Sequence, residues 1–139
     1  MHIMKRSILV CFTIFLFASC KKTVDNIKTD LVIQAMTDGE WTLTKFTMNG
    51  VDISTDFTGY KFKYYSNKTV DAIKNGIVEK TGTWDGNAST MTTWANFTGA
   101  SYPLNLINGS WHIDRNSWIY VESSQTIGTD SKTMRLDKL

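Results

Sequence analysis

Proline is almost missing from this sequence, with only Pro103 in 139 residues. Both cysteines, Cys11 and Cys20, fall in the first twenty residues, so the rest of the chain holds no thiol pair. A disulfide, a cysteine zinc site and a cysteine nucleophile are excluded together. Histidine is nearly as scarce, and after position 20 only His112 remains. Neither sign of charge dominates, and beyond Lys21-Lys22 there is no Lys/Arg block. Without a basic stripe there is no electrostatic footprint for nucleic acid. Long apolar runs are also lacking. The longest, Ile8 to Ala18, is interrupted at Thr13 and as a helix would reach only roughly 16 Å at ~1.5 Å per residue, against a hydrocarbon core of about 30 Å.

What is present at the N-terminus is a pattern of export. Lys5 and Arg6 precede the apolar run, which ends at the small pair Ala18-Ser19 and then Cys20. These are the three regions of a secretory signal. The segment Leu16-Phe17-Ala18-Ser19-Cys20 resembles the lipobox of bacterial lipoproteins, which implies cleavage after Ser19 and acylation of Cys20. Residues 1–19 are then a signal peptide, 20–38 a lipid-bearing cysteine with tether and short helix, and 39–139 the domain. Removing Lys5 and Arg6 lowers the basic residues from 15 to 13, equal to the 13 acidic residues, all of which lie after position 20. The mature chain is neutral. Lys21 after the cysteine, where an inner-membrane signal would carry Asp, resembles an outer-membrane address.

The chain after Cys20 is long enough for one domain with one core. Val24, Ile27, Leu31 and Ala35, widened by Val32 and Met36, have the spacing of an amphipathic helix lying against that domain. Asp25, Lys28 and Asp30 are too mixed in sign for a basic membrane face. From Glu40 onward the chain turns to short runs of Thr, Tyr, Trp, Val and Ile, broken at Asn49-Gly50, Asn75-Gly76, Asp85-Gly86 and Asn108-Gly109. Such pairs supply the positive-φ residues of tight hairpins. Strands are predicted near 40–48, 59–66, 68–74, 77–84, 89–95, 102–107, 110–114, 117–122 and 132–138. Tyr60, Phe62 and Tyr64 share one strand face while Lys61 and Lys63 take the other. The sequons at Asn67, Asn87, Asn96 and Asn108 are by-products of Asn-rich turns beside Thr-rich strands.

This order predicts an all-β fold: a small antiparallel up-and-down β-barrel of about eight strands after a short N-terminal helix. Gly39-Glu40-Trp41 opens the first strand and Arg135 lies in the last, and here the chain resembles the lipocalins. More closely, Gly39 to Leu139 is similar to the lipocalin-like lipoproteins of Bacteroidetes, through Asn49-Gly50-Val51-Asp52, Gly59-Tyr60-Lys61-Phe62, Gly82-Thr83-Trp84 and Asn108-Gly109-Ser110-Trp111-His112-Ile113. The resemblance implies that Arg135 lies across Trp41 and closes the barrel floor.

Catalysis finds little support in the residue pattern. His112 alternates with Trp111 and Ile113 and so faces solvent. Asp52, Asp56, Asp71, Asp85, Asp114, Asp130 and Asp137 are scattered one to a turn or strand, with no calcium-loop spacing, and no phosphate cradle is present. No enzyme activity, metal or cofactor is expected. Most of the aromatics must fill the barrel. Tyr60, Phe62, Tyr64, Trp94 and Trp118 are the candidates to line a mouth for one small apolar or amphipathic ligand. The expected function is therefore non-enzymatic ligand binding, on a lipid anchor at the outer membrane. The alternative is a solidly packed barrel that docks an envelope partner protein or acts as an inhibitor, and an open cavity of at least ~300 Å³ separates the two.

Overall fold

The computed structural model describes residues 15–139, with side chains from Val24 onward. Lys5, Arg6, most of the apolar run and the side chain of Cys20 lie outside what is described. Helix α1 (Phe15–Thr37) leads into β1 (Trp41–Met48), β2 (Val51–Asp52), β3 (Tyr60–Tyr64), β4 (Thr69–Lys74), β5 (Ile77–Asn87), β6 (Thr92–Asn96), β7 (Gly109–Asn116), β8 (Tyr120–Ile127) and β9 (Asp130–Lys138). From β3 onward each strand pairs antiparallel with the next, and β1 pairs with both β3 and β9. Eight strands thus close into a barrel, as the residue pattern predicts, while β2 is a two-residue flap on the end of β1.

Closure depends on β1, whose inward side chains do not keep one parity. Trp41 and Leu43 point inward, yet Phe46 rather than Lys45 is the next buried residue. A bulge at Thr44, between the pairs Leu43↔Leu136 and Lys45↔Arg135, absorbs the extra residue. Such a bulge re-aims the strand without breaking its ladder. On β9, Lys132, Met134 and Leu136 point inward, so Arg135 necessarily points out.

Two of the four predicted hairpin pairs make hairpin turns. Asn49-Gly50 and Asn75-Gly76 both have positive φ at each residue and join β1–β2 and β4–β5. Asp85-Gly86 instead lies inside β5, paired with Trp94 and Thr93. Asn108-Gly109 starts β7, and the Asn108 side chain accepts from the Phe97 backbone N–H at 2.7 Å. The β5–β6 turn takes its positive φ from Met91, and the β8–β9 turn from Gly128.

The predicted strand over 102–107 is absent. Pro103 has no N–H to give a ladder, and the segment closes on itself through Asn105 N–H to Ser101 O and Leu106 N–H to Pro103 O. The result is a 3-10 turn, Leu104–Ile107. With a second one, Ser54–Phe57, it supplies apolar residues to one end of the barrel. There Phe46 stacks on Phe57 at 4.9 Å between centroids and Tyr60 on Phe62 at 6.2 Å, with Phe97 and Leu104 buried in the same core. This end is solid.

Helix α1 is already formed at Phe15, earlier than the periodicity predicts. Its last turns lie on the barrel: Ile33 and Met36 pack against the core, and the Trp41 indole donates to Met36 O at 2.9 Å. Val24, Ile27 and Leu31, by contrast, remain about half exposed.

Candidate functional site

Beneath the last turns of α1 the inward residues stop short of meeting, and Ile107 of the 3-10 turn reaches the inner part of the space left between them. The indoles of Trp41, Trp84 and Trp111 and the ring of Tyr64 form the deep wall of a cavity of about 320 Å³. Each indole is held by its one polar atom. Trp41 Nε1 donates to Met36 O at 2.9 Å, Trp84 Nε1 to Tyr65 O at 3.1 Å and Trp111 Nε1 to Ile107 O at 2.8 Å. With the N–H groups already engaged on backbone, the indoles offer the cavity their carbon surface. Ala95 leaves room where a larger side chain on β6 would fill the space, and Met91, Trp94 and Trp118 edge the opening with Leu31 and Val32 of α1.

Among the described residues, the cavity lining contains no Asp, Glu, Lys, Arg or His. Ser123 and the hydroxyl-bearing Tyr64 are buried in the lining. A charged group entering this space would lose its hydration without gaining a partner, at a cost of several kcal/mol or more. The Tyr64 hydroxyl stays neutral, since burial pushes its pKa well above the ordinary phenol value. The site is therefore apolar, aromatic and uncharged.

Of the residues that the alternation singled out, Tyr64, Trp94 and Trp118 line this cavity. Tyr60 and Phe62 share the inward face of β3 with Tyr64 but belong to the solid end, where Phe57 meets Tyr60 at 6.2 Å and Phe97 meets Phe62 at 6.3 Å. Phe62 stands opposite Trp41 in the ladder and Phe46 meets Trp111 edge-on at 6.0 Å, so the packed part of the core backs directly onto the cavity wall. Trp84 and Trp111 join them in the wall, and each sits between polar neighbours in a strand pattern that points it inward. The contribution of α1 to the rim had only its apolar stripe as a signal.

Trp41 and Arg135 are not brought together, which corrects the floor the resemblance implies. The cation over Trp41 is the Lys138 ammonium, 5.3 Å from the ring centroid and 5.4 Å from that of Trp118. Lys68 stands 5.5 Å from Trp84 and Lys132 5.4 Å from Trp111 in the same manner. Arg135, on the outer face, lies 4.5 Å over Tyr120 and bonds Glu122 at 2.7 Å and Asp137 at 2.8 Å. Parity decides this, because Met134 and Leu136 occupy the inward positions on either side. Trp41 itself belongs to the cavity wall rather than to the closed end.

His112 is exposed on the outside of β7. Among the described residues no three His, Cys, Asp or Glu side chains gather as a metal site. No described helix is long and apolar enough to cross a membrane.

The fold and cavity define a small closed antiparallel barrel with one open apolar end. A crystal structure of a DUF4847 family protein from Bacteroides vulgatus has a similar fold, with a TM-score of 0.54 and 15% sequence identity over 76% of this chain and 96% of that one. The chain matches no family profile and no curated protein.

Proposed function

We propose that this protein is an envelope lipoprotein, anchored at the outer membrane through lipid on Cys20, whose barrel binds one small uncharged apolar or amphipathic molecule without acting on it. The observation that carries the reading is the cavity. Its volume of about 320 Å³ falls at the lower end of the roughly 300–1,000 Å³ typical of ligand pockets, and its walls are aromatic and free of charge. Two acyl chains would hold the protein firmly, each buried CH₂ contributing about 0.8 kcal/mol. The alternative of a barrel packed solid that works only through its outer surface conflicts with the unfilled end.

The test is retention and exclusion. Protein purified from its own host and sprayed under native conditions should carry a small molecule, and the empty protein should take up 1-anilinonaphthalene-8-sulfonate's uncharged analogue N-phenyl-1-naphthylamine with a rise in fluorescence. Ala95→Phe places a ring in the cavity and should abolish that rise. Equal uptake by wild type and Ala95→Phe, or no uptake by either, would overturn ligand binding in the barrel.

A further inference from the structure

The apolar stripe of α1 is not used up by the barrel. Val24, Ile27 and Leu31 are 49%, 55% and 49% exposed, and their spacing of three and four residues places them along one side of the helix. Leu31 also lines the cavity mouth, so the stripe runs without a break into the opening. Across that opening the rim carries Trp94, 43% exposed, and Trp118, 48% exposed, with Ile119 beside it, set among the exposed polar side chains of Asn87, Asn116 and Ser117. Half-exposed tryptophans next to aliphatic side chains are the composition found at the boundary between headgroups and acyl chains.

The same helix leads back to the anchor. Position 20 lies within α1, one turn before Val24. Eleven residues separate it from Leu31, which at ~1.5 Å per residue is roughly 16 Å of helix. A chain lipidated there cannot hold the stripe or the rim far from the bilayer. Exposed Val51, Ile77 and Ile127, by contrast, flank the tight turns at the other end of the barrel and share no element with the anchor.

We propose that the open end of the barrel rests on the lipid surface, with Val24, Ile27, Trp94 and Trp118 in the interface, so that the cavity exchanges its ligand with the bilayer rather than with water. This rests on the reading of Cys20 as the lipid-bearing residue. Lys21, Lys22 and Lys28 stand against Asp25 and Asp30 in α1, while the side chains placed in the interface are uncharged, so on zwitterionic lipid the contact is apolar and its strength does not follow ionic strength.

The full lipidated protein, reconstituted in phosphatidylethanolamine vesicles with brominated acyl chains, tests the orientation through indole fluorescence. Trp41, Trp84 and Trp111 are fully buried in the barrel, which leaves Trp94 and Trp118 as the indoles that bromine can reach. Brominated vesicles should quench part of the emission, with the same loss at low and high salt. Trp94→Phe and Trp118→Phe should each remove part of that quenching, and Val24→Ser with Ile27→Ser should reduce it several-fold. Emission that bromine leaves unchanged while aqueous acrylamide still quenches it would overturn the orientation. Shielding from acrylamide that grows with protein concentration in the absence of lipid would assign the face to a second copy and also overturn it. An intact mass showing no acyl group on Cys20 would remove anchor and orientation together, whereas acylated, bromine-quenched protein that takes up no apolar probe would remove only the ligand.

Discussion

Trp41 and Arg135 show how much one residue's side of a strand decides. Burying an indole completely contributes several kcal/mol, and its loss leaves a cavity, so Trp41→Ala should cost about 3–5 kcal/mol. Arg135 is about one-third exposed in a surface network with Glu122 and Asp137, where such pairs contribute at most ~1 kcal/mol. Urea unfolding should therefore separate the two variants widely, and an Arg135→Ala midpoint as low as that of Trp41→Ala would restore the arginine to the barrel's closure. Arg135 also sets an acid limit. Its hydrogen bonds hold the Asp137 carboxyl below the usual carboxylate range. A depressed carboxylate stabilises the folded state at pH values above its unfolded pKa, and that contribution is lost as pH falls through the folded value. Arg135→Ala should accordingly flatten the loss of stability below about pH 4. Tyr60 acts at the other extreme. Burial and its hydrogen bond to Glu79 push its pKa up to about 12, so its contribution is complete below the ordinary phenol value of about 10 and is lost as pH rises through the folded value. Tyr60→Phe should be less sensitive to alkali than the wild type when unfolding is followed between those limits.

At the level of the elements, two glycines in one strand have opposite consequences. A Cβ on Gly82 would stand 2.5 Å from Asn96 O and 2.7 Å from Phe97 Cδ1, so β6 can lie against β5 only if residue 82 has no side chain. Gly82→Ala should destabilise by roughly 1–3 kcal/mol through overpacking. On Gly86 the nearest neighbour of a Cβ would be Val32 Cγ1 at 3.7 Å, an ordinary contact, and its backbone is not in the positive-φ region. Gly86→Ala should be neutral or slightly stabilising, since alanine narrows the unfolded ensemble. Thermal unfolding of both variants decides the matter, and equal midpoints would contradict the close approach at Asn96. Turn pairs decide structure where local chemistry is sufficient. Asn75-Gly76 makes its hairpin because its positive-φ geometry agrees with the pairing of β4 and β5 on either side, while Asp85-Gly86 is drawn into β5 by pairing with β6. At 102–107 the aliphatic residues suggested a strand, but Pro103 had already removed the donor it needed.

For the molecule as a whole, the solid and open ends divide the labour. Phe46, Phe57, Tyr60 and Phe62 fill one end, and the stability they supply permits the other to stay unfilled. A ligand bound only by the folded state raises stability by mass action, about 2.7 kcal/mol at a hundredfold excess over Kd. N-phenyl-1-naphthylamine should therefore raise the melting temperature of the wild type in a concentration-dependent way and leave that of Ala95→Phe unchanged. A shift of the same size in both would place the probe outside the barrel.

Composition, alternation and turn chemistry were enough to determine an antiparallel barrel after one helix, because strand parity and positive-φ turns are local properties that each segment carries by itself. The inward direction of Tyr64 and the outward direction of His112 follow in the same way. The tertiary structure alone decided which inward aromatics face empty space and which face one another, since that depends on how far along the barrel each strand begins. It also decided that Lys138, and not Arg135, lies over Trp41. The bulge at Thr44 and the pairing of β1 with β9 set that meeting, and they join residues nearly a hundred positions apart.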